Sequence, residues 1–198
     1  MIHRLSMKIA YFFMERDIIP SDEVEIYAYG YEHLIPEVIS WVLILCIAGF
    51  SRTFLETFAF MAVFIILRQN TGGYHAKTHF HCIALFTSIY LIFLAVLLFV
   101  PAGICAAVSF VLLPLNFIPI VRYAPLDHKN KPITSERERV FFKKRSIILY
   151  ICLAAAAILF LIYAPLIRFG ISLSYALLAT GISLLVAYFI KRRKEGLR

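Results

Sequence analysis

The stretch IALFTSIYLIFLAVLLFV, residues 83–100, decides the fold of this chain. It is 18 residues long and carries no charge. A helix needs about 20 predominantly apolar residues to cross the hydrocarbon core of a bilayer. An extended strand in lipid would leave its backbone groups unpaired, so a helix is the expected conformation. The stretch therefore predicts a transmembrane helix.

Apolar runs of similar character lie on both sides of this stretch. The whole chain is 62% hydrophobic with a mean hydropathy of +0.83, whereas soluble domains are about 45–50% apolar. The sequence thus predicts an all-α, polytopic membrane protein with six transmembrane helices, at residues 36–50, 53–67, 83–100, 102–121, 147–164 and 171–190. Pro114 is expected to kink the fourth of these helices.

The basic residues predict how the chain is oriented. Of the 20 lysines and arginines, all but Arg52 and Arg168 fall in the N-terminal segment, in two alternate loops or in the C-terminal tail. The positive-inside rule then places both termini and the segment 68–82 in the cytoplasm. The net charge of +8 fits contact with anionic lipid headgroups. No nucleic-acid-binding motif accompanies it, so no nucleic-acid partner is expected.

The N-terminal residues are amphipathic. Ile2, Leu5 and Phe12 can share one helical face, which suits a helix lying in the membrane interface. A second helix is expected after Pro20, with Ser21 as its cap. We therefore predict a single membrane domain over 1–198, made of interfacial amphipathic helices (1–34), a six-helix bundle (35–190) and a basic tail (191–198). A short juxtamembrane helix is expected at 136–145.

One polar segment carries the residues suited to catalysis. Residues 68–82 read RQNTGGYHAKTHFHC, between the second and third predicted spans. The thiolate is the reactive form of cysteine, and a nearby cation favours it. A Cys–His pair is a common arrangement for acyl transfer. Cys82 is therefore the candidate nucleophile, with His75, His79 and His81 as candidate bases.

The other polar residues of this segment suggest supporting roles. Gly72 and Gly73 allow a sharp turn, and their N–H groups are candidates for stabilising an oxyanion. Arg68 is a candidate to support the loop or to contact an acidic substrate. Gln69 and Asn70 are candidates to orient an imidazole.

Two other classes of protein fit parts of the sequence. His75 and His79 have the spacing of zinc ligands on a helix, which His81 and Cys82 would complete. However, Ala76 replaces the glutamate of a zinc-protease helix, so no metal or other cofactor is expected. A non-enzymatic transporter of a small solute or peptide would fit the six-span layout. The predicted spans contain almost no ionisable residues, which argues against a transport path.

The chain resembles the accessory gene regulator B (AgrB) family, the bacterial membrane endopeptidases of peptide quorum sensing. The resemblance rests on Arg68, on Gly-Gly-Tyr-His at 72–75 with Cys82 seven residues after the histidine, and on the motifs EIY (25–27), YG (29–30) and YAPLDHKNKP (123–132).

The resemblance implies a function and a site. It makes Cys82 the catalytic nucleophile and His75 its base, in a multi-pass protein of the bacterial cell membrane. The implied substrate is an AgrD-like propeptide, cleaved through a Cys82 acyl-enzyme to give a cyclic thiolactone or lactone. A homodimer is implied as well, in contact with membrane lipid.

The spacing of His75 and Cys82 constrains the local structure. In a straight helix, residues seven apart are separated by about 10.5 Å along the axis. Direct proton transfer needs roughly 2.6–3.2 Å, or one bridging water. If the two residues work together within one subunit, residues 68–82 are therefore not one straight helix.

Overall fold

The computed structural model describes residues 2–73, 78–126 and 135–196, and their regular secondary structure is entirely helical. The helices are α1 (Ile2–Met14), α2 (Val24–Phe50), α3 (Phe54–Thr71), α4 (His79–Phe99), α5 (Ala102–Tyr123), α6 (Glu136–Ile162) and α7 (Ile167–Glu195). Short 3₁₀ turns, Ser21–Glu23 and Ala164–Leu166, precede α2 and α7. The predicted all-α fold is confirmed.

Five helical segments in the described part of the chain are long and apolar enough to cross a membrane. They are Ser21–Phe50, Phe80–Phe99, Ala102–Tyr123, Glu136–Ile162 and Ala164–Arg193. The remaining predicted span coincides with α3, which has 18 residues and a length of about 27 Å. Its apolar part is shortened by Glu56 in the first turn and Arg68 in the last. A membrane crossing by α3 and the sidedness of the termini stay predictions.

The helix expected after Pro20 and the first predicted span form one continuous helix, α2. Pro36 lies inside this helix, where it removes one backbone hydrogen bond. Ser40 Oγ donates to the Pro36 carbonyl at 2.9 Å. Ser21 is not the cap, since Pro20 holds the N-cap position of the 3₁₀ turn. The end of the interfacial segment predicted at residue 34 therefore falls inside a helix.

The predicted juxtamembrane helix at 136–145 is likewise the first part of a longer helix, α6. Ser135 caps it, with Ser135 Oγ accepting from the Arg137 N–H at 3.3 Å. Glu136 and Glu138 occupy the first turn, where the positive end of the helix dipole stabilises their negative charges. Helical hydrogen bonding continues across the change from polar to apolar sequence. In the same way, α5 continues as a helix through Pro114 and Pro119.

Helix α7 lies at the centre of the bundle and packs against α3, α5 and α6. An aromatic cluster joins it to α3 and α4. The ring centroids of Phe60 and Phe93 are 4.6 Å apart, and those of Phe93 and Tyr175 are 5.6 Å apart. Phe60 and Phe93 are fully buried. These contacts fix the relative positions of α3 and α4, the two helices that flank the polar segment.

A buried polar network joins α5, α6 and α7. Asn116 Nδ2 donates to the Leu177 carbonyl at 2.8 Å and to Tyr150 Oη at 3.2 Å. The Tyr150 hydroxyl donates in turn to the Leu113 carbonyl at 2.7 Å. A side chain at Gly181 would overlap the Asn116 amide, whose Cγ would lie 2.6 Å from the added Cβ. The glycine therefore gives the amide the room it needs to bond across helices.

Contacts at the two ends of the bundle show where the polar segment lies. At one end, Arg168 Nε donates to Glu56 Oε1 at 2.7 Å and joins the starts of α7 and α3. At the opposite end, the Leu126 N–H donates to the Thr71 carbonyl at 2.9 Å. The polar segment therefore begins where α3 and α5 both finish.

Helix α1 packs on the start of α2 through Ala10, Val24 and Ala28, which are all buried. Leu5 and Phe12 on α1 are exposed. An exposed apolar face of this kind fits the predicted location in the membrane interface, which stays a prediction.

Candidate functional site

Residues 68–82 do not form one straight helix. Helix α3 ends at Thr71 and α4 begins at His79. Gly72 follows α3 with a φ of +73°, outside the right-handed helical region. The interruption meets the requirement set by the spacing of His75 and Cys82. His75 itself lies outside the described residues, so its pairing with Cys82 stays a prediction.

Cys82 lies in the first turn of α4 and is half-buried. Thr78 caps this helix, with Thr78 Oγ1 accepting from the His81 N–H at 3.3 Å. The Cys82 N–H donates to the Thr78 carbonyl at 3.1 Å. Because the first turn of a helix carries a partial positive charge, this position stabilises an anion. The thiol of Cys82 therefore lies at the positive end of the α4 dipole.

The two other candidate bases lie close to Cys82 in sequence. His81 is exposed, and its Nδ1 lies 2.5 Å from Thr78 Oγ1 in a hydrogen bond. The His81 ring therefore takes part in the helix cap. His79 is the first residue of α4, and its side chain lies outside the described part of the structure. The choice of base consequently rests on the resemblance.

Arg68 is brought into the electrostatic range of Cys82, although the two are distant in sequence. It lies in the last turn of α3 and is half-buried, with its Cζ 5.5 Å from the centroid of the Phe64 ring. Burial lowers the pKa of the Arg68 guanidinium, while the negative charges of Cys82 and Glu37 raise it. Arg68 thus provides a partly desolvated cation within electrostatic range of Cys82.

Gln69 and Asn70 differ in their surroundings. Gln69 is exposed, whereas Asn70 is buried and its Nδ2 donates to the Ile66 carbonyl at 2.7 Å. This bond holds the Asn70 amide against its own helix. Asn70 therefore stabilises the C-terminal end of α3. The proposed role of either residue in orienting an imidazole stays a prediction.

The turn formed by Gly72 and Gly73 is tightly enclosed. A Cβ at Gly72 would overlap the backbone carbonyl of Leu126. At Gly73, an added Cβ would lie 2.9 Å from Ser183 Oγ and 3.7 Å from Arg68 Nε. The Gly72 N–H already donates to the Arg68 carbonyl at 3.0 Å. Of the two glycines predicted to stabilise an oxyanion, Gly73 therefore remains the candidate.

Sequence reasoning missed three residues that adjoin this segment. Glu37 comes from α2, Leu126 follows α5, and Ser183 belongs to α7. A carboxylate at the start of a predicted span was a signal for Glu37, since charges beside apolar spans are often functional. Leu126 and Ser183 gave no signal, because only the packing of helices brings them to the turn.

No group of three histidine, cysteine, aspartate or glutamate side chains able to hold a metal occurs among the residues that the structure describes. The zinc alternative needs His75, which lies outside that part of the chain. Asp127 and His128, which belong to the motif at 123–132, lie outside it too. The zinc alternative is therefore not tested.

The fold and the site define a multi-pass α-helical membrane protein with a cysteine at a helix N-terminus, within electrostatic range of a half-buried arginine. The family model described as "Accessory gene regulator B" matches residues 6–189. The chain therefore belongs to the accessory gene regulator B (AgrB) family, which confirms the resemblance seen in its motifs.

Two relatives from Clostridium perfringens support this membership. An AgrB-like protein of strain SM101 / Type A is 29% identical over 132 residues. An AgrB-like protein 2 of strain 13 / Type A is 28% identical over 132 residues. Each alignment covers 64% of this chain and 62% of the relative. No solved structure matches the chain.

Proposed function

We propose that this protein is a membrane-embedded cysteine endopeptidase that processes an AgrD-like propeptide in bacterial quorum sensing. Cys82 is its nucleophile and His75 its general base. The enzyme releases the C-terminal part of the propeptide and closes the signal segment into a thiolactone or lactone ring. The site faces the cytoplasm of a bacterial cell.

The observation that carries the proposal is the position of Cys82 in the first turn of α4, with the cation of Arg68 in electrostatic range. A helix N-terminus and a nearby cation are features of the environments in which reactive cysteines are found. The match to the AgrB family over residues 6–189 supports a role in the processing of an AgrD-like propeptide.

The chemistry proceeds in two acyl transfers. The Cys82 thiolate attacks the scissile carbonyl, the peptide C–N bond breaks, and protonated His75 gives its proton to the leaving amine. The N-terminal part of the substrate stays on Cys82 Sγ as a thioester. A cysteine or serine of the substrate, deprotonated by His75, then attacks the thioester, which closes the ring and releases the Cys82 thiolate.

The enclosure of the site favours ring closure over hydrolysis. Gly72 and Gly73 are packed against Leu126 and Ser183, and Arg68 is half-buried. A site with limited access to water favours transfer of the acyl group to a nucleophile within the bound substrate. The Gly73 N–H is the candidate donor to the oxyanion formed in each step.

The proposal is tested by co-expressing the protein with a propeptide gene from the same locus. Cys82→Ala is expected to abolish release of the C-terminal fragment. Cys46→Ala and Cys152→Ala are matched controls, because these two cysteines are exposed on α2 and α6, away from the polar segment. Both controls are expected to retain processing. Continued processing by Cys82→Ala would rule out the cysteine-peptidase function.

The zinc alternative gives the opposite pattern of inhibition. A cysteine peptidase loses activity when Cys82 is alkylated and keeps it in the presence of a chelator. Loss of activity with chelator, combined with full activity after alkylation of Cys82, would instead identify a metal enzyme.

A further inference from the structure

Helix α7 contributes one side of the space occupied by the Gly72–Gly73 turn. Ser183 is 8% exposed, and its Oγ would lie 2.9 Å from a Cβ added at Gly73. Arg68 Nε lies 3.7 Å from the same point. The backbone of Gly73 is therefore held between a side chain of the last helix and the arginine that lies within electrostatic range of Cys82.

Neighbouring elements hold the Gly72–Gly73 turn in place. Helix α7 packs directly against α3, which carries Arg68. Leu126 closes the other side of the turn through its backbone carbonyl at Gly72 and its N–H bond to Thr71. Since well-packed interiors transmit small displacements, a change in size at residue 183 should move Gly73 and Arg68.

We propose that Ser183 is a positioning residue of the Cys82 site. Its small side chain on α7 sets the position of the Gly73 backbone and, with it, the approach of the Arg68 guanidinium to Cys82. The last transmembrane helix is thus a structural part of the active site. This inference rests on the proposed peptidase function.

The test is a double-mutant cycle between Gly73 and Ser183. Gly73→Ala places a methyl group against Ser183 Oγ and is expected to lower kcat/KM for propeptide cleavage by at least about tenfold. Ser183→Ala removes Oγ and leaves Ser183 Cβ, 3.8 Å from the added methyl. Adding Ser183→Ala to Gly73→Ala should recover at least about threefold in kcat/KM. Recovery is expected to be partial, because Gly73 has a φ of +159°, which other residues rarely adopt.

Two controls make the cycle specific. Gly72→Ala should not be rescued by Ser183→Ala, because the group that opposes its methyl is the Leu126 backbone carbonyl. Gly73→Ala should not be rescued by Ser174→Ala, because Ser174 is a buried serine about 13 Å further along the same helix. Additive effects of Gly73→Ala and Ser183→Ala would overturn the proposal.

If Gly73→Ala does not accumulate in the membrane, a second variant tests the positioning role of Ser183. Ser183→Val enlarges the side chain against Gly73, and Ser174→Val is its matched control. Ser183→Val is expected to lower kcat by about tenfold with little change in KM, because the substrate still binds while the reacting groups are misplaced. Equal kinetics for the two variants would contradict a positioning role.

The rate of Cys82 alkylation by iodoacetamide separates this inference from the proposed function. Alkylation needs no substrate and reports the environment of the thiol. We expect Ser183→Val to slow it severalfold relative to Ser174→Val. If the wild type does not cleave the propeptide but the alkylation rates still differ, the peptidase function fails and the coupling of Ser183 to the site stands. If the wild type cleaves the propeptide but the two alkylation rates are equal, the peptidase function stands and the coupling of Ser183 to the site fails.

Discussion

Arg68 is the residue that gives the environment of Cys82 its electrostatic character. Burying a guanidinium is costly unless negative groups compensate it. Glu37 and the Cys82 thiolate are the two anionic groups that raise the Arg68 pKa against the effect of burial. Arg68 and Cys82 are therefore electrostatically coupled.

Substitution of Arg68 tests this coupling. Arg68→Gln is expected to lower the rate of Cys82 alkylation and to reduce kcat/KM for cleavage by roughly 10²-fold, as for loss of one electrostatic contact to a developing charge. Arg68→Lys should fall between this variant and the wild type, since lysine keeps the charge but not the planar guanidinium. The measurements are alkylation by iodoacetamide and steady-state cleavage.

The control for Arg68 is an exposed cation elsewhere. Arg193 is exposed near the end of α7, and Arg193→Gln should leave both rates within about twofold of the wild type. Wild-type alkylation in Arg68→Gln would show that the guanidinium does not act on the thiol.

The identity of the base is tested by three histidine substitutions. His75→Ala should reduce cleavage by about 10²–10⁴-fold, the usual contribution of general acid–base catalysis. His79→Ala and His81→Ala should retain most of the activity, with His81→Ala weakening the cap at Thr78. Full cleavage by His75→Ala together with loss in His79→Ala would transfer the role of base to His79.

Part of this site could be predicted from the sequence, because its residues are neighbours in the chain. Arg68, Gly73 and Cys82 belong to one polar segment, and their residue types indicate their chemistry. Ser183 could not be predicted, because only the packing of α7 brings it to the segment. Glu37 carried a signal as a carboxylate at the start of a predicted span, but its electrostatic interaction with Arg68 depends on the packing of α2.

Helix α3 is the element on which the site depends, and both of its ends are fixed by contacts. The Glu56–Arg168 ion pair holds its start, and the Thr71–Leu126 hydrogen bond holds its end. Glu56 is the less exposed partner, with 14% of its side chain accessible, against 45% for Arg168. Solvent screening by the exposed arginine keeps the stabilisation from this pair small.

Charge exchange across this pair tests its contribution to stability. Glu56→Arg places two arginines together and should destabilise the bundle by about 1 kcal/mol, or roughly 2–4 °C in Tm for a protein of this size. The exchanged variant Glu56→Arg with Arg168→Glu should recover most of the loss. Thermal unfolding in detergent micelles measures both. No recovery in the exchanged variant would exclude an ion pair between α3 and α7.

The helices themselves follow from the distribution of apolar residues, but their boundaries do not. Apolar runs located the transmembrane helices because lipid selects for them. The same runs placed the starts of α2 and α6 too far along the chain, since helical hydrogen bonding includes the polar residues that precede both apolar runs. Polarity reports where a helix meets water, whereas capping and packing determine where it ends.

The orientation of the whole molecule is a prediction of the charge distribution. In a variant with its four native cysteines replaced by alanine, Arg52→Cys should react with a membrane-impermeant maleimide added to intact cells. Arg193→Cys should react only after the cells are permeabilised, because the C-terminal end of α7 is expected in the cytoplasm. Labelling of Arg193→Cys from outside would reverse the predicted orientation.

The central claim of the proposed function is that Cys82 forms a covalent acyl-enzyme with the N-terminal part of a propeptide. Intact-protein mass spectrometry of the purified enzyme incubated with propeptide tests it most directly. We predict an added mass equal to that of the N-terminal segment, removable by hydroxylamine and missing from Cys82→Ala. An adduct on another residue, or release of the C-terminal fragment by Cys82→Ala at the wild-type rate, would contradict the claim.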